Sequence, residues 1–300
     1  MDVRRALRKA SGAACLAASL LITRPSEAVE YGFSEYFLGL TIPMSGYIPP
    51  PGVYFSDTFL LYNATRSSPS PSVNYHLVFD IAQVGYFLDT EVFGATPGFV
   101  AIIPFLGARN SFPSLHESAS LASISETDYS AVLGWHAGDH NWSVSLTDFA
   151  PTGNYDPGRL VQTGLNRPAL DIKGAYTFLS LQTGTEISGG LGMIFNALNN
   201  ATNYQSGSEL HFEWALNQHF PFGLAAGVGG YFYQQLTDDY GSGDTTGPNR
   251  ARAAAVGPLL SYAFKAGDQK VDLSGRWFHE FAVENRPRGD SFFASLAFRL

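Results

Sequence analysis

Apolar and polar residues alternate with a period of two along several stretches of this chain. The alternation is clearest in Asn141–Thr147, Leu170–Phe178, Glu209–Asn217 and Lys270–Phe281. In the third stretch, Leu210, Phe212, Trp214 and Leu216 share one parity, and Glu209, His211, Glu213 and Asn217 share the other. A period of two is the signature of a β-strand with one apolar face and one polar face. The chain is therefore predicted to be built from strands of this kind.

Twelve such strands are predicted, most of about ten residues, which is the length that a tilted strand needs to cross a membrane. They are Val53–Asn63, Val73–Val84, Gly98–Leu106, Asp128–Ala137, Asn141–Phe149, Pro168–Phe178, Glu186–Asn196, Glu209–His219, Gly223–Leu236, Arg252–Phe264, Lys270–Phe281 and Asp290–Leu300. A soluble β-sandwich also alternates, but its strands are shorter and its apolar face is buried. The strand length favours a membrane protein.

The connections between these strands give an independent indication, because their lengths alternate. The odd-numbered connections are long, namely Ala64–Ser72, Gly107–Thr127, Ala150–Arg167, Ala197–Ser208, Thr237–Ala251 and the shorter Ala282–Gly289. The even-numbered ones are mostly tight, except for Gly85–Gly98, which a strand extension at Tyr86–Thr90 would shorten. Outer-membrane barrels have short periplasmic turns and long external loops. The sequence thus predicts an all-β protein, a transmembrane antiparallel β-barrel of about 12 strands, within a range of about 10 to 14, with both termini periplasmic.

Composition supports a barrel rather than a helical membrane protein. Aromatic residues make up 14% of the chain, and no stretch after residue 28 is apolar enough for a spanning helix. A membrane protein without such helices must be a closed barrel, because lipid cannot satisfy an open strand edge. The last strand ends in the alternating apolar residues Phe292, Ala294, Leu296, Phe298 and Leu300. We expect outer-membrane lipid around the barrel, and we expect the barrel-insertion machinery to bind the C-terminal strand from Ser291 to Leu300.

The first residues carry the pattern of a secretory signal. Basic residues between Arg4 and Lys9 precede an apolar run over Ala10–Ile22, and Ser26-Glu27-Ala28 offers small residues for a signal peptidase. Residues 1–28 are therefore predicted to be a signal peptide, cleaved after Ala28, that exports the chain to the outer membrane. Cleavage removes Cys15, the single cysteine, so no disulfide is expected. The net charge of −8 and the lack of a basic cluster argue against nucleic acid as a partner.

Residues 53–300 are predicted to form the barrel itself. The charged residues whose parity points them inward are the candidates for lining its lumen. They are Asp171, Lys173, Glu186, Glu209, His211, Glu213, Asp272, Arg276, Glu280 and Arg299. Both signs of charge are present. One interpretation is that these side chains pair across the lumen and make it rigid. The other is that they form a polar constriction that selects a solute.

The segment before the first strand, residues 29–52, is too apolar for a disordered tail. It holds Tyr31, Phe33, Tyr36, Phe37, Leu38, Leu40, Ile42, Met44 and Tyr47, followed by Pro49-Pro50-Pro51. We hypothesise that this segment folds into the lumen as a plug. An additional strand at Tyr36–Ile42, or a tail packed on the mouth of the barrel, would be alternatives.

A second set of candidates lies in the predicted external loops. It comprises Asn154, Tyr155, Asp156, Asp238, Asp239, Glu284, Arg286 and Asp290. Calcium binds such oxygen-rich sets, but the spacing lacks the EF-hand pattern, so solvated loop acids are the favoured interpretation and no metal is predicted. Asn154 and Asp156 can instead cap their own turn. Glu284, Arg286, Arg288 and Asp290 would form a network at the rim or point into water.

Catalytic chemistry finds little support in the sequence. His211 lies between Glu209 and Glu213 on the inward parity, with Ser206 and Ser208 nearby, but all of these come from one strand and its loop, which is poor geometry for a triad. His136, His140 and His219 fall at the predicted periplasmic end, and His279 has lipid-facing parity. No phosphate-binding loop, metal-spaced His/Cys set or nucleotide motif is present. We therefore expect that the protein is not an enzyme and that it binds no cofactor.

Four stretches in order along the chain carry a family resemblance. They are Pro49–Tyr54, Pro151–Pro157, Gly229–Asp239 and Glu284–Phe292. Together they resemble the family named for the meta-pathway of phenol degradation, a group of outer-membrane proteins and transporters, and Leu106–Thr127 departs most from it. The resemblance implies passage of small hydrophobic or aromatic compounds and supplies no catalytic motif. We therefore expect a passive transporter for a small apolar solute, with a closed structural or surface-interaction barrel as the alternative.

Overall fold

The computed structural model describes residues 28–67, 71–244 and 249–300, so the predicted signal peptide lies outside the described residues except for Ala28. Within the described ranges the chain forms thirteen β-strands and two single-turn 3₁₀ helices, Glu30–Gly32 and Pro113–Leu115. The strands are β1 (Gly52–Arg66), β2 (Val73–Phe87), β3 (Thr96–Phe112), β4 (Glu117–Ile124), β5 (Thr127–Ala137), β6 (His140–Ala150), β7 (Ala169–Leu179), β8 (Thr185–Asn196), β9 (Glu209–His219), β10 (Leu224–Gln235), β11 (Arg252–Ala266), β12 (Gln269–Glu280) and β13 (Arg288–Arg299). In these ranges no helix is both long enough and apolar enough to cross a membrane.

The strands close into a barrel. Neighbours in the chain pair antiparallel, and β1 pairs with β13 from Tyr54↔Arg299 to Thr65↔Arg288, which joins the two edges of the sheet. β4 and β5 both pair with β3, one beyond the other, and so occupy a single position in the wall. The result is a closed antiparallel barrel with twelve strand positions, which confirms the predicted fold class.

A bulge at Pro104 separates β4 from β5. β3 pairs with β5 up to Ile102↔Asp128 and with β4 from Phe105↔Ile124, so the partner strand carries one residue more than β3 across this gap. Pro104 has no N–H to donate to the ladder, and bulges are found where a ladder hydrogen bond is missing. The predicted long loop Gly107–Thr127 is therefore wrong, because most of it continues the wall as the end of β3 and β4.

The inner face of the wall carries buried charged residues and the outer face carries exposed apolar residues, the reverse of a soluble protein. On β9, Glu209, His211 and Glu213 are fully buried, whereas Leu216 is 47% exposed. On β12, Trp277 is 46% exposed and Phe278 is fully buried. An exposed apolar face on an antiparallel barrel is what contact with lipid hydrocarbon requires, and it is incompatible with a water-soluble sandwich.

The two ends of the barrel differ in their connections. One end, here called the short-turn end, carries the connections 138–139, 180–184, 220–223 and 267–268, together with the start of β1 and the end of β13. The connection 88–95 also lies there; the predicted extension of β2 is real but stops at Phe87. The opposite, long-loop end carries the connections 151–168, 197–208 and 236–251. The predicted alternation of short and long connections is thus present in the fold.

Residues 28–51 cross the barrel from one end to the other before β1 begins. The Ala28 amide donates to the Asn285 carbonyl at 3.2 Å, in the connection between β12 and β13 at the long-loop end. The Pro51 carbonyl accepts from Arg299 at 2.8 Å, at the short-turn end. Ala28 and Leu300 therefore lie at opposite ends, and the prediction that both termini share one side is wrong. The strand count could not reveal this, because the segment adds one crossing without forming a strand at Tyr36–Ile42.

Candidate functional site in the barrel lumen

Glu213 on β9 is the central contact between the wall and the segment formed by residues 28–51. Its side chain is fully buried and accepts hydrogen bonds from the Tyr36 hydroxyl at 2.8 Å and from the Gly39 amide at 2.5 Å. The Thr41 hydroxyl is a third donor to the same carboxylate. These three hydrogen bonds hold residues 36–41 in the middle of the lumen.

A second contact lies nearer the short-turn end. Glu186 on β8 accepts the Met44 amide at 2.8 Å, and the Thr177 hydroxyl on β7 accepts the Gly46 amide at 3.0 Å. A Cβ atom on Gly46 would lie only 2.6 Å from the Tyr176 Cα, so glycine is needed for the segment to approach β7 this closely. The same Glu186 carboxylate also lies 2.7 Å from His219 Nε2, so this histidine is next to the residue that binds the Met44 amide.

Arg276 on β12 holds the segment from another part of the wall, three strands from β9. Its guanidinium donates to the Leu40 carbonyl at 3.0 Å and also to the Ile42 carbonyl. It lies 4.9 Å from the centroid of the Phe293 ring, a cation–π distance. The Gly39 and Met44 amides therefore face acids on β9 and β8, while the Leu40 and Ile42 carbonyls face a cation on β12.

A histidine–carboxylate pair lies beneath Tyr36. His211 Nε2 is 3.0 Å from Asp171 Oδ1 on β7, and both side chains are buried. The rings of Tyr36 and His211 are 3.8 Å apart at their centroids, and Lys173 donates to the Tyr36 hydroxyl at 3.2 Å. Ser206, a serine considered for a triad with His211, instead accepts the Glu30 amide at 3.2 Å. The arrangement packs and orients Tyr36, and it lacks the nucleophile–base contact that a triad needs.

The other side of the segment packs against an apolar wall. Phe33 makes edge contacts with Tyr62 on β1 and Tyr75 on β2, and Phe37 makes one with Phe79. Ile42 is fully buried in the same cluster. The lumen thus has a polar half, formed mainly by β7 to β9, and an apolar half, in which the segment's aromatic side chains occupy the space.

The remaining lumen candidates fall into two groups. Glu209 and Glu280 are buried and accept tyrosine hydroxyls, Glu209 from Tyr233 at 2.9 Å and Glu280 from Tyr62 at 2.9 Å. Asp272 is exposed beside Lys270 near the short-turn end, where Arg299 contacts only the last residues of the segment. The ten candidates therefore do not lie at one level of the lumen, because Glu280 ends β12 at the long-loop end and Arg299 ends β13 at the short-turn end.

Two buried residues that the sequence did not single out organise the long-loop end. Arg167 lies just before β7, 3.4 Å from Glu35, and donates to the Phe33 carbonyl at 2.6 Å. Burial alone lowers the pKa of Arg167, but the surrounding carboxylates, Glu35 first among them, outweigh burial and raise the pKa above its usual value. Glu126 lies in the bulge between β4 and β5 and accepts the amides of Gly153 and Leu165, at 2.6 and 2.5 Å. Only the tertiary fold brings these partners together, since they are far apart in sequence.

The loop candidates separate into exposed pairs and buried contacts. Asp156 caps its own turn by accepting the Gly158 amide at 2.9 Å, as predicted, whereas Asn154 accepts from Arg159. Asp238 and Glu284 are exposed and pair with Arg250 and Arg252, the former at 2.7 Å. Tyr155 lies against the segment, with its hydroxyl 2.9 Å from that of Tyr31.

The predicted rim network of Glu284, Arg286, Arg288 and Asp290 does not form. Arg286 turns into the barrel toward Glu280, at 3.8 Å, and lies 4.9 Å from the Tyr233 ring. Asp290 belongs to β13 and pairs on the outer face with His279 at 2.9 Å. The four residues share one parity, but only Arg288 and Asp290 belong to a strand; residues 281–287 do not continue the strand alternation, so Arg286 can turn inward. Asp239 is buried and contacts the start of the segment.

Comparison with known proteins places the chain in a family. The family described as "Putative MetA-pathway of phenol degradation" matches residues 61–296. Among solved structures, the COG4313 outer membrane channel from Pseudomonas putida F1 is similar, with a TM-score of 0.72 at 14% identity, over 86% of this chain and 99% of that chain. The β domain of the Bordetella autotransporter BrkA has a TM-score of 0.51 at 13% identity, over 83% of this chain and 100% of that chain. At identities this low, the structural similarity shows a shared barrel fold alone. No curated protein gives a significant sequence match. Because the family match spans well over half of the sequence, the chain belongs to the family of the MetA-pathway of phenol degradation.

Proposed function

We propose that this protein is an outer-membrane channel for the passive uptake of small hydrophobic or aromatic compounds, and that residues 29–52 form a plug whose displacement opens the lumen. The observation that carries the proposal is the way the segment is held. In the described part of the chain, residues 29–51 bind the wall through side chains such as Glu213, Glu186 and Arg276, and not through a backbone ladder. Water can replace such contacts one by one, so the segment can leave without breaking the sheet.

The lumen offers an apolar path once the segment moves. Phe79 and Tyr75 on β2, Tyr62 on β1 and Phe293 on β13 line the half of the lumen that Phe33, Phe37 and Ile42 now fill. The same surface would suit an aromatic solute, since aromatic rings pack favourably edge-to-face against other aromatic rings. The family name supports this class of solute. With the long loops outside the cell, as in outer-membrane barrels generally, the solute would enter past the connections of the long-loop end.

The filled lumen also favours the second candidate, a closed barrel that serves as a structural or surface-interaction protein. Two measurements on refolded protein separate the candidates. Swelling of proteoliposomes in aromatic solutes should exceed that of protein-free liposomes, and deletion of residues 29–48 should raise the conductance in planar bilayers. Unchanged conductance after the deletion would discard the plug. If neither the full protein nor the deletion variant caused swelling, the closed structural or surface-interaction barrel would be the remaining candidate.

A further inference from the structure

Asp239 is a buried carboxylate at the long-loop end, in the connection between β10 and β11 (7% exposed). Its Oδ2 atom accepts the Val29 amide at 2.8 Å and the Tyr204 hydroxyl, and its Oδ1 atom accepts the Gly207 amide at 2.8 Å and the Gln235 amide at 2.6 Å. All four donors are neutral in the uncleaved chain. In the described residues no Lys, Arg or His side chain forms an ion pair with Asp239. A buried carboxylate without a cation is costly, and burial accordingly raises the pKa of Asp239 although the hydrogen bonds oppose the change.

Val29 has a backbone conformation that is unfavourable for a β-branched residue inside a chain. Its φ of 61° lies in the left-handed region, which a β-branched residue adopts only under strain. The angle φ involves the carbonyl carbon of the preceding residue, so the strain would vanish if Val29 were the first residue of the protein. The sequence independently predicts cleavage after Ala28, immediately before this position.

We propose that cleavage between Ala28 and Val29 creates an α-ammonium group on Val29 that forms a buried ion pair with Asp239 and fastens the N-terminal segment inside the barrel. The reaction is hydrolysis by a signal peptidase: water is added across the peptide bond, Ala28 keeps the new carboxylate, and the Val29 amine takes up a proton near neutral pH. The nitrogen that now donates as an amide would then donate as a cation to the same oxygen, which makes the hydrogen bond stronger.

The neighbouring contacts are arranged to hold the new terminus at this position. The Glu30 amide donates to Ser206, and the Glu30 carboxylate accepts from Thr202 at 2.7 Å and Asn199 at 2.8 Å. These partners belong to the connection between β8 and β9, as does Gly207, which also binds Asp239. One ion pair would therefore join the first residue of the mature chain to two long connections, and it could form only after processing.

The experiment uses the full chain, expressed with its own N-terminus, exported and purified in detergent. The intact mass should correspond to a chain that begins at Val29. Labelling of the α-amine with an acetylating reagent across pH 6 to 10 should give an apparent pKa of about 9 or higher in the folded protein, compared with about 7.7 to 8.0 for an ordinary α-amine. Burial without the ion pair would move the pKa in the opposite direction, so the measurement separates the two causes.

The variant Asp239→Asn should increase α-amine labelling of the folded protein at pH 7.5 by at least about tenfold. The matched control is Asp238→Asn, because Asp238 is exposed and pairs with Arg250 at 2.7 Å, and its labelling should equal that of the wild type. If Asp239→Asn does not fold, the α-amine pKa measured in the wild-type protein decides whether the ion pair exists. A mature chain that begins elsewhere, or a folded-state α-amine pKa at or below the ordinary value, would overturn the proposal.

Discussion

Removal of the Glu213 carboxylate is the most direct test of how the segment is held in the lumen. Glu213→Ala deprives Tyr36, Gly39 and Thr41 of their shared acceptor. A hydrogen bond to a charged group contributes about 1.5 to 3 kcal/mol, and bonds to one carboxylate are not additive. We therefore expect a loss of about 3 kcal/mol in the free energy that holds the segment, which corresponds to a roughly 150-fold larger population of the displaced state.

A single cysteine in the segment reports that population. The sequence beyond residue 28 contains no cysteine, and Ser45, whose hydroxyl is buried, can be replaced by the similar-sized cysteine. The rate of maleimide labelling at this position follows the fraction of molecules in which the segment is displaced, provided that the motion is faster than the labelling. In the Ser45→Cys background, Glu213→Ala should accelerate labelling by about a hundredfold.

The control is Glu284→Ala in the same background. Glu284 is also a glutamate, but its exposed carboxylate pairs with Arg252 and not with residues 29–51, so labelling should not change. Folding of each variant is checked by the different gel mobility of heated and unheated samples. If Glu213→Ala formed a folded barrel and labelled within threefold of its parent, the contact with Glu213 would not be what retains the segment.

Three further predictions concern the long-loop end. Arg167→Met leaves Glu35 buried without its cation and should lower the free energy of unfolding by about 3 to 5 kcal/mol; adding Glu35→Gln should restore part of this in denaturant titrations. Glu126→Gln weakens the contacts to the connection between β6 and β7, so trypsin should cut at the exposed Arg159 faster than in the wild type, whereas equal rates would contradict the role given to Glu126. Burial raises the pKa of Glu30, so its protonated form favours folding and this contribution is lost as pH rises through the raised value. The wild type should therefore lose stability relative to Glu30→Gln as pH rises from the ordinary glutamate pKa of 4.5 through the raised one, and parallel pH profiles would contradict that sign.

The sequence by itself determined the wall of the barrel. The alternation in strands such as β9 and β12 is a local property, because each side chain is chosen for the face it meets, hydrocarbon outside or the lumen inside. Every predicted strand appears in the fold, and inward residues such as Glu213 and Arg276 were recognisable from parity alone. The lengths of the connections also predicted that one end of the barrel carries short turns and the other carries long loops.

Tertiary structure decided everything that depends on residues far apart in the chain. β4 escaped prediction because its Ser- and Ala-rich sequence carries little contrast between faces, and all of its residues are at least partly exposed in the structure. The path of residues 28–51 follows no strand period, since the Gly39 amide, the Met44 amide and the Leu40 carbonyl are bound by side chains on three different strands. Parity shows which way Glu213 points, but only the closed barrel brings it to Gly39, and only the long loops bring Asp239 to Val29.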